Sequence, residues 1–228
     1  MSARPRACAP PRPRARAART ARTAEEARPR VQLERQVHLT LLRDRAHYDT
    51  LVMGAVAKAR VSVWIATANV KELRIEAPVG SRARARGRYM SFLDLLDALA
   101  ARGVELRLLH AGVPSRAFRA ELRRRPRSPI EMRRCPRVHL KMIAVDGALL
   151  YLGSANLTGA GLGAKGEGRR NFEAGVLTDD DLLLDEMQAT FDAIWTGAEC
   201  KGCRLRPLCP APLDQIEKSR CASGRDGR

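Results

Sequence analysis

The chain has 228 residues, 45% of them hydrophobic, and its 42 Lys and Arg against 25 Asp and Glu give a net charge of +17. This length predicts one folded domain of ordinary size plus tails. No stretch approaches the roughly 18 apolar residues of a membrane span, and the N-terminus lacks the apolar region of a secretory signal. We therefore expect a soluble, cytoplasmic protein.

Composition divides the chain into three parts. Residues 1–30 contain nine Arg and two Glu among Ala and Pro, which predicts a disordered tail, although such a segment would also suit an organelle transit peptide. Residues 31–196 carry the regular apolar patterns of a folded domain. Residues 197–228 are a short tail with four cysteines.

Apolar periodicity predicts alternating helices and strands through the domain. In chain order, these are a helix over 46–58, a strand over 61–68, a helix from the Ser91 and Asp94 capping box to Gly103, a strand over 104–109, a strand over 139–145, a hairpin turn at Asp146 and Gly147, strands over 148–152 and 171–177, and a helix capped by Asp179 and running to Trp195. The Arg-rich residues 111–137 are predicted to be a long loop. Together these elements predict a mixed α/β layer structure.

One motif dominates the sequence. Residues 139–156 read H-x-K-x4-D-x6-G-S-x-N, and six fixed positions at roughly one-in-twenty odds each make an accidental match very improbable. The pattern resembles the HKD signature of the phospholipase D superfamily, whose members break phosphodiester bonds through a phosphohistidine. The resemblance implies a phospholipase D-like mixed sheet flanked by helices.

The motif residues suit phosphodiester chemistry. His139 can serve as the nucleophile, and Lys141, two positions along the predicted strand, would face the same way and bind a phosphate oxygen. Asn156 and Ser154 can donate further hydrogen bonds to that phosphate. Asp146 completes the group of candidate catalytic residues in the motif, although we expect it to stabilise the hairpin and its local hydrogen bonds rather than to perform chemistry.

The resemblance also assigns residues outside the motif. It implies that Glu173 buttresses the histidine ring, and that Asn171 supports the pocket from the neighbouring strand. Basic residues near the site, among them Arg133 and Arg134, are candidates for substrate binding. The segment 116–137 holds nine Arg against two Glu, which favours a polyanionic partner such as nucleic acid.

A second histidine is needed to protonate the leaving oxygen. The other histidines, His38, His47 and His110, do not begin an H-x-K sequence. In superfamily members with one motif, two chains complete the site. We therefore predict a homodimer that shares His139 from both subunits, in preference to a heterodimer with another HKD protein.

The tail carries a C-x2-C-x5-C pattern formed by Cys200, Cys203 and Cys209. Cysteines this close together in an intracellular chain are more often metal ligands than disulfides. The pattern resembles the iron–sulfur staple of RecB-type helicase–nucleases, so we favour a 4Fe–4S cluster over a structural zinc. The fourth ligand would be Cys135 or Cys221, of which Cys135 is preferred.

These observations favour a nuclease for DNA or RNA that acts through phosphohistidine without a catalytic divalent metal. A phospholipase D or phosphatidyltransferase acting on phospholipid headgroups is the alternative. A non-catalytic protein that binds nucleic acid or senses redox state is a third possibility.

Overall fold

The computed structural model describes residues 36–77, 80–125 and 128–215. The predicted N-terminal tail and Cys221 lie outside these ranges. Seven strands form the main sheet: β1 (Thr40–Arg43), β2 (Ser62–Thr67), β5 (Glu105–His110), β6 (Glu131–Arg134), β7 (Met142–Val145), β8 (Leu149–Gly153) and β9 (Ala174–Thr178). Two short strands, β3 (Arg74–Glu76) and β4 (Tyr89–Ser91), pair separately.

The main sheet has the order β1-β9-β8-β7-β2-β5-β6. Strands β2, β5 and β6 are parallel, whereas β7, β8, β9 and β1 continue the sheet in antiparallel pairs. The mixed α/β sheet predicted from the sequence is therefore confirmed. The hairpin turn is also confirmed, because Asp146 and Gly147 both have positive φ, the conformation of a tight two-residue turn.

Helices cover both faces of the sheet. They are a π-helix (His47–Ala55) continued by a 3-10 turn (Val56–Lys58), α1 (Arg82–Ala85), α2 (Phe92–Ala100), α3 (Arg116–Arg123) and α4 (Asp181–Trp195), with further 3-10 turns at Glu167–Arg169, Ala198–Cys200, Arg206–Leu208 and Leu213–Gln215. The predicted capping box of α2 is present. The cap of α4 is Asp180 rather than Asp179, since Asp180 accepts the Leu183 N–H at 2.8 Å. No helix among the described residues is long and apolar enough to cross a membrane.

Alternating strand residues build two cores. On one face, Val63 and Ile65 of β2 pack with the π-helix and α2. On the other, Trp64 and Ala66 pack with α4 and with Leu213 of the tail. Phe191 of α4 is fully buried and lies with its ring centroid 5.3 Å from that of Trp64. Burying a side chain of this size contributes about 2–3 kcal/mol.

The predicted loop over 111–137 is wrong, because it contains α3 and β6. Ser115 caps α3 by accepting the Phe118 N–H at 3.2 Å, and Phe118 is the one buried side chain of that helix. Strand β6 pairs in parallel with β5 at the sheet edge. The many arginines obscure both elements in the sequence, since each element buries only one face.

Two predicted strands begin later than expected. Strand β7 begins at Met142 rather than His139, and β9 begins at Ala174 rather than Asn171. The hydrogen bonds between β7 and β8 end just before Met142, where the Gly153 N–H donates to the Lys141 carbonyl at 3.2 Å. The chemically important residues of both segments therefore lie just outside the sheet.

Candidate active site

Apart from Asp146, the motif residues meet at the open end of the β7–β8 hairpin, opposite its turn. Because Met142 pairs with Leu152, the residues before β7 meet those that follow β8. His139 and Ser154 are exposed there, and Lys141 is half-buried. The hairpin geometry thus brings together residues separated by thirteen or more positions.

Lys141 contacts the histidine ring although the two residues are not in a strand. Its ammonium Nζ lies 3.1 Å from His139 Nδ1 and 3.2 Å from Nε2. The same group donates to the His139 carbonyl oxygen at 3.0 Å. A cation held this close to the ring can bind the oxygen of a phosphate that the ring attacks.

Asn156 is oriented by the end of β2. Its Oδ1 accepts the Asn69 N–H at 3.0 Å and the Thr67 hydroxyl at 3.3 Å. With the oxygen engaged, the amide nitrogen of Asn156 is the group left to donate toward a substrate. Thr67 and Asn69 are site residues that the sequence motif does not reveal.

Glu173 contacts Ser154 and Asn171. The Ser154 hydroxyl donates to Oε2, and Asn171 Nδ2 donates to Oε1 at 3.0 Å. The Ser154 hydroxyl also accepts the Ala174 N–H at 3.1 Å. No hydrogen bond joins Glu173 to His139 within the described ranges, so the buttressing role implied by the resemblance stays a prediction.

Asp44 holds the backbone of Glu173 from both sides. Its carboxylate accepts the Glu173 N–H at 3.2 Å, and its own N–H donates to the Glu173 carbonyl at 3.1 Å. Asp44 has a φ of 43°, a conformation that Asp and Asn tolerate better than most residues. The sequence offers no signal for this contact, because β1 and β9 are remote in the chain.

Close packing requires a glycine at position 153 of the motif. A Cβ at Gly153 would overlap the hydroxyl of Tyr151 and lie 2.8 Å from the Ala174 carbonyl oxygen. Tyr151 is buried, and that burial raises its pKa to about 12. The neutral phenol ring of Tyr151 therefore fills the space beneath the open end of the hairpin, and only glycine fits at position 153 above the ring.

A polar pocket of about 190 Å³ adjoins Asn156 and Asn171. Its lining also includes Lys71, Lys165 and Glu72. The Ser115 hydroxyl donates to Glu72 at 2.8 Å, and this bond lowers the pKa of that carboxyl below its ordinary value. The ammonium groups of Lys71 and Lys165, beside the amides of Asn156 and Asn171, make the pocket suitable for an anionic substrate. The sequence motif reveals neither lysine.

Asp146 lies at the other end of β7. Its carboxylate accepts the backbone N–H groups of Arg60, Val61 and Ser62 at 2.7–3.0 Å. It therefore fastens the hairpin to the start of β2, as expected for a structural role. Grouping Asp146 with the catalytic residues is not supported by this position.

Arg133 does not present its charge to a substrate. It is buried, donates to the Trp195 carbonyl at 2.6 Å and lies 4.5 Å from the ring centroid of Trp195. Its guanidinium stabilises the packing around β6, which corrects its predicted substrate-binding role. Arg134 is half-buried and its Nε donates to the Ala111 carbonyl at 2.9 Å, and its role in substrate binding stays a prediction.

The other histidines do not supply a second exposed imidazole at the open end of the β7–β8 hairpin. His47 and His110 are buried, and burial lowers the pKa of each below its ordinary value. Their Nδ1 atoms lie 3.1 Å from the Asp44 carbonyl oxygen and 2.9 Å from the Gly112 carbonyl oxygen, respectively. His38 precedes β1, and its carbonyl accepts the Thr178 hydroxyl.

The four predicted metal ligands are free thiols in the described part of the chain. Cys135, Cys200, Cys203 and Cys209 are all half-buried. Cys135 and Cys200 pack against the same apolar cluster. As the side chains stand, no three His, Cys, Asp or Glu residues among those described converge at metal-binding geometry.

The family model and the structure of Nuc agree on the fold. Residues 52–195 match the family model described as cardiolipin synthase, PLD-like domain, and no curated protein matches the sequence. Nuc from Salmonella typhimurium, a phospholipase D family member, is 20% identical with a TM-score of 0.50, covering 71% of this chain and 95% of Nuc. NucT from Helicobacter pylori is 16% identical with a TM-score of 0.48, covering 69% of this chain and 94% of NucT. Phosphatidylserine synthase from Haemophilus influenzae Rd KW20 is 14% identical with a TM-score of 0.47, covering 68% of this chain and 36% of the synthase.

Proposed function

Since the chain belongs to the family of phospholipase D-like domains and is a phosphodiesterase of that superfamily, we propose that it is a nuclease that cleaves DNA or RNA without a divalent metal. The single observation that carries the proposal is the contact between the Lys141 ammonium and the His139 ring. In this proposal His139 is the nucleophile and Lys141 is the cation that binds the phosphate, and their contact supports the assignment.

The reaction proceeds in two balanced steps. A ring nitrogen of His139 attacks phosphorus and forms the phosphorus–nitrogen bond, while the bond to the leaving oxygen breaks and that oxygen receives a proton. Lys141 and the Asn156 amide stabilise the charge that develops on the non-bridging oxygens. Water then attacks phosphorus, the phosphorus–nitrogen bond breaks to free His139, and the proton of the water passes to the base that protonated the leaving oxygen, which releases the second product.

The proton for the leaving oxygen comes from a second subunit. Of the three other histidines, two are buried and His38 binds β9 through its carbonyl. A twofold dimer would bring the partner subunit's His139 to the opposite side of the phosphate, with the reciprocal roles in the second half-reaction.

Electrostatics supports nucleic acid as the substrate. The chain carries a net charge of +17, and Lys71 and Lys165 line the pocket beside Asn156 and Asn171. A polynucleotide has a phosphate on each side of the scissile one, which such a cationic surface attracts. The lysines also oppose the negative charge of Glu72 within the pocket.

Activity should be measured on single- and double-stranded DNA, RNA and phosphatidylglycerol vesicles, each with EDTA present. We expect polynucleotide cleavage by the wild type, no cleavage by His139→Asn, and unchanged cleavage by the control His38→Ala. Brief reaction with a 32P-labelled substrate should leave an acid-labile label on the wild type and on His38→Ala but not on His139→Asn. Hydrolysis of the vesicles without cleavage of polynucleotides would overturn the nuclease proposal.

Subunit mixing tests the shared site. If both histidines are needed, replacing part of the wild type by His139→Asn protein at constant total concentration should reduce activity in proportion to the square of the wild-type fraction. Replacing the same part by His38→Ala protein should cause no loss. A linear decline, or an active monomer in sedimentation experiments, would contradict the dimeric site.

A further inference from the structure

The C-terminal segment after α4 lies beyond the family match, which ends at residue 195. Its backbone forms four consecutive turns. The N–H of Cys200 bonds to the Gly197 carbonyl, that of Cys203 to Cys200, that of Arg206 to Cys203, and that of Cys209 to Arg206, at 2.9–3.2 Å. Each of these bonds joins residue i+3 to residue i, so the three cysteines and Arg206 lie at the ends of successive turns.

Cys135 approaches these turns from the sheet. It lies near Cys200 and Cys203, and it packs with Cys200 against the apolar cluster that contains Trp195 and Leu213. Its backbone is well supported, because its N–H donates to the His110 carbonyl at 2.9 Å and its carbonyl accepts the Val138 N–H at 3.0 Å. The fourth thiol thus belongs to the segment that leads directly to His139.

Cationic groups surround the thiols. The Arg137 guanidinium hydrogen-bonds to the Cys203 thiol, and the backbone N–H groups of Leu205 and Arg206 point to the same sulfur. The Arg206 guanidinium lies near Cys200 and Cys209 and also pairs with Asp214 at 2.7 Å. Four thiolates around a dication carry a net charge of −2, so donors and cations directed at sulfur stabilise the charged site rather than four neutral thiols.

We propose that Cys135, Cys200, Cys203 and Cys209 together bind one thiolate-ligated metal centre, either a 4Fe–4S cluster or a zinc ion, which fastens the tail to the segment preceding His139. Each thiol releases its proton when it becomes a ligand. Because no three described side chains stand at metal-binding geometry, binding requires rotation of the cysteine side chains about their Cα–Cβ bonds. The proposal is independent of the substrate and of the nuclease activity.

Metal analysis of the full chain purified without oxygen tests it. We expect either four iron and four sulfide per chain, with visible absorption, or one zinc and no colour. Cys135→Ser and Cys209→Ser should each lose most of the metal. Cys8→Ser, in the N-terminal tail, is the matched control and should retain it. A wild-type protein with substoichiometric metal, or full occupancy in Cys135→Ser, would overturn the proposal.

The competing ligand Cys221 is tested in the same way. Cys221→Ser should keep its metal, and loss of metal there with retention in Cys135→Ser would contradict the assignment. Chelation of the wild type should increase cleavage of the tail by trypsin after Arg204 or Arg206, while far-UV circular dichroism of the domain stays unchanged. Chelation without such a change in the wild type would mean that no metal fastens the tail.

Discussion

Replacing Asp146 tests whether this residue of the HKD motif has a structural or a catalytic role. Asp146→Ala removes the acceptor for the N–H groups of Arg60, Val61 and Ser62 and places alanine at a φ of 57°. Two of these N–H groups belong to exposed residues and regain water, so the lost bonds cost about 1–2 kcal/mol. The left-handed conformation adds about 1 kcal/mol for alanine. We expect the free energy of unfolding to fall by about 2–3 kcal/mol in total.

Asp146→Asn is the matched control. Asparagine tolerates the left-handed conformation and keeps one acceptor oxygen, so the free energy of unfolding should fall by only about 1 kcal/mol. Urea denaturation followed by circular dichroism measures both values. For the folded fraction, kcat should stay near the wild-type value in both variants.

The effect of pH has a defined sign. Burial opposes ionisation of Asp146, but the bonds from Val61, Ser62 and Arg60 hold the pKa of the carboxyl below its ordinary 3.8. A lowered folded-state pKa stabilises the fold above the unfolded-state value, and this contribution is lost as pH falls through the folded-state value. The stability difference between wild type and Asp146→Asn should therefore shrink below about pH 4. A hundredfold loss of kcat in Asp146→Asn at unchanged stability would refute the structural role.

Three further substitutions test other contacts of the site. Asp44→Ala removes the bond to the Glu173 N–H and should lower kcat by about tenfold, whereas Asp44→Asn retains most activity; equal activities would show that this contact does not matter. Gly153→Ala forces a Cβ against Tyr151 and the Ala174 carbonyl and should cost about 2–3 kcal/mol of stability by overpacking, measured by urea denaturation. Because burial lowers the pKa of His47, the unfolded chain takes up the proton first, so wild-type stability should fall as pH drops below about 6.5. His47→Gln should lose that part of the pH dependence, and an unchanged profile would count against it.

The sequence predicted the sheet elements and the motif well because both depend on short-range patterns. Short apolar runs identify β2, β5 and β8, and Asp146-Gly147 specifies its turn through local backbone preference. The segment 111–137 was mispredicted because arginines cover the exposed face of α3 and the buried position of β6 is itself Arg133, which leaves too few apolar positions to show a period.

The supporting residues of the site could not be predicted in the same way. Asn69 reaches Asn156 across 87 positions, and Asp44 reaches Glu173 across 129. Such contacts depend on which strands become neighbours, and no local pattern records that choice. The role of Arg133 was missed for the same reason, since its partner Trp195 belongs to a distant helix.

The pairing of β1 with β9 has a consequence for where the smallest active fragment can begin. The family match starts at residue 52, yet Thr40–Arg43 covers the outer edge of β9, and Asp44 lies immediately after it. A fragment cut at residue 52 would leave β9 as an open edge, able to pair with other chains. It would also lack Asp44 and its two hydrogen bonds to the Glu173 backbone. The folded domain therefore begins upstream of β1, and a fragment trimmed to the family match should aggregate.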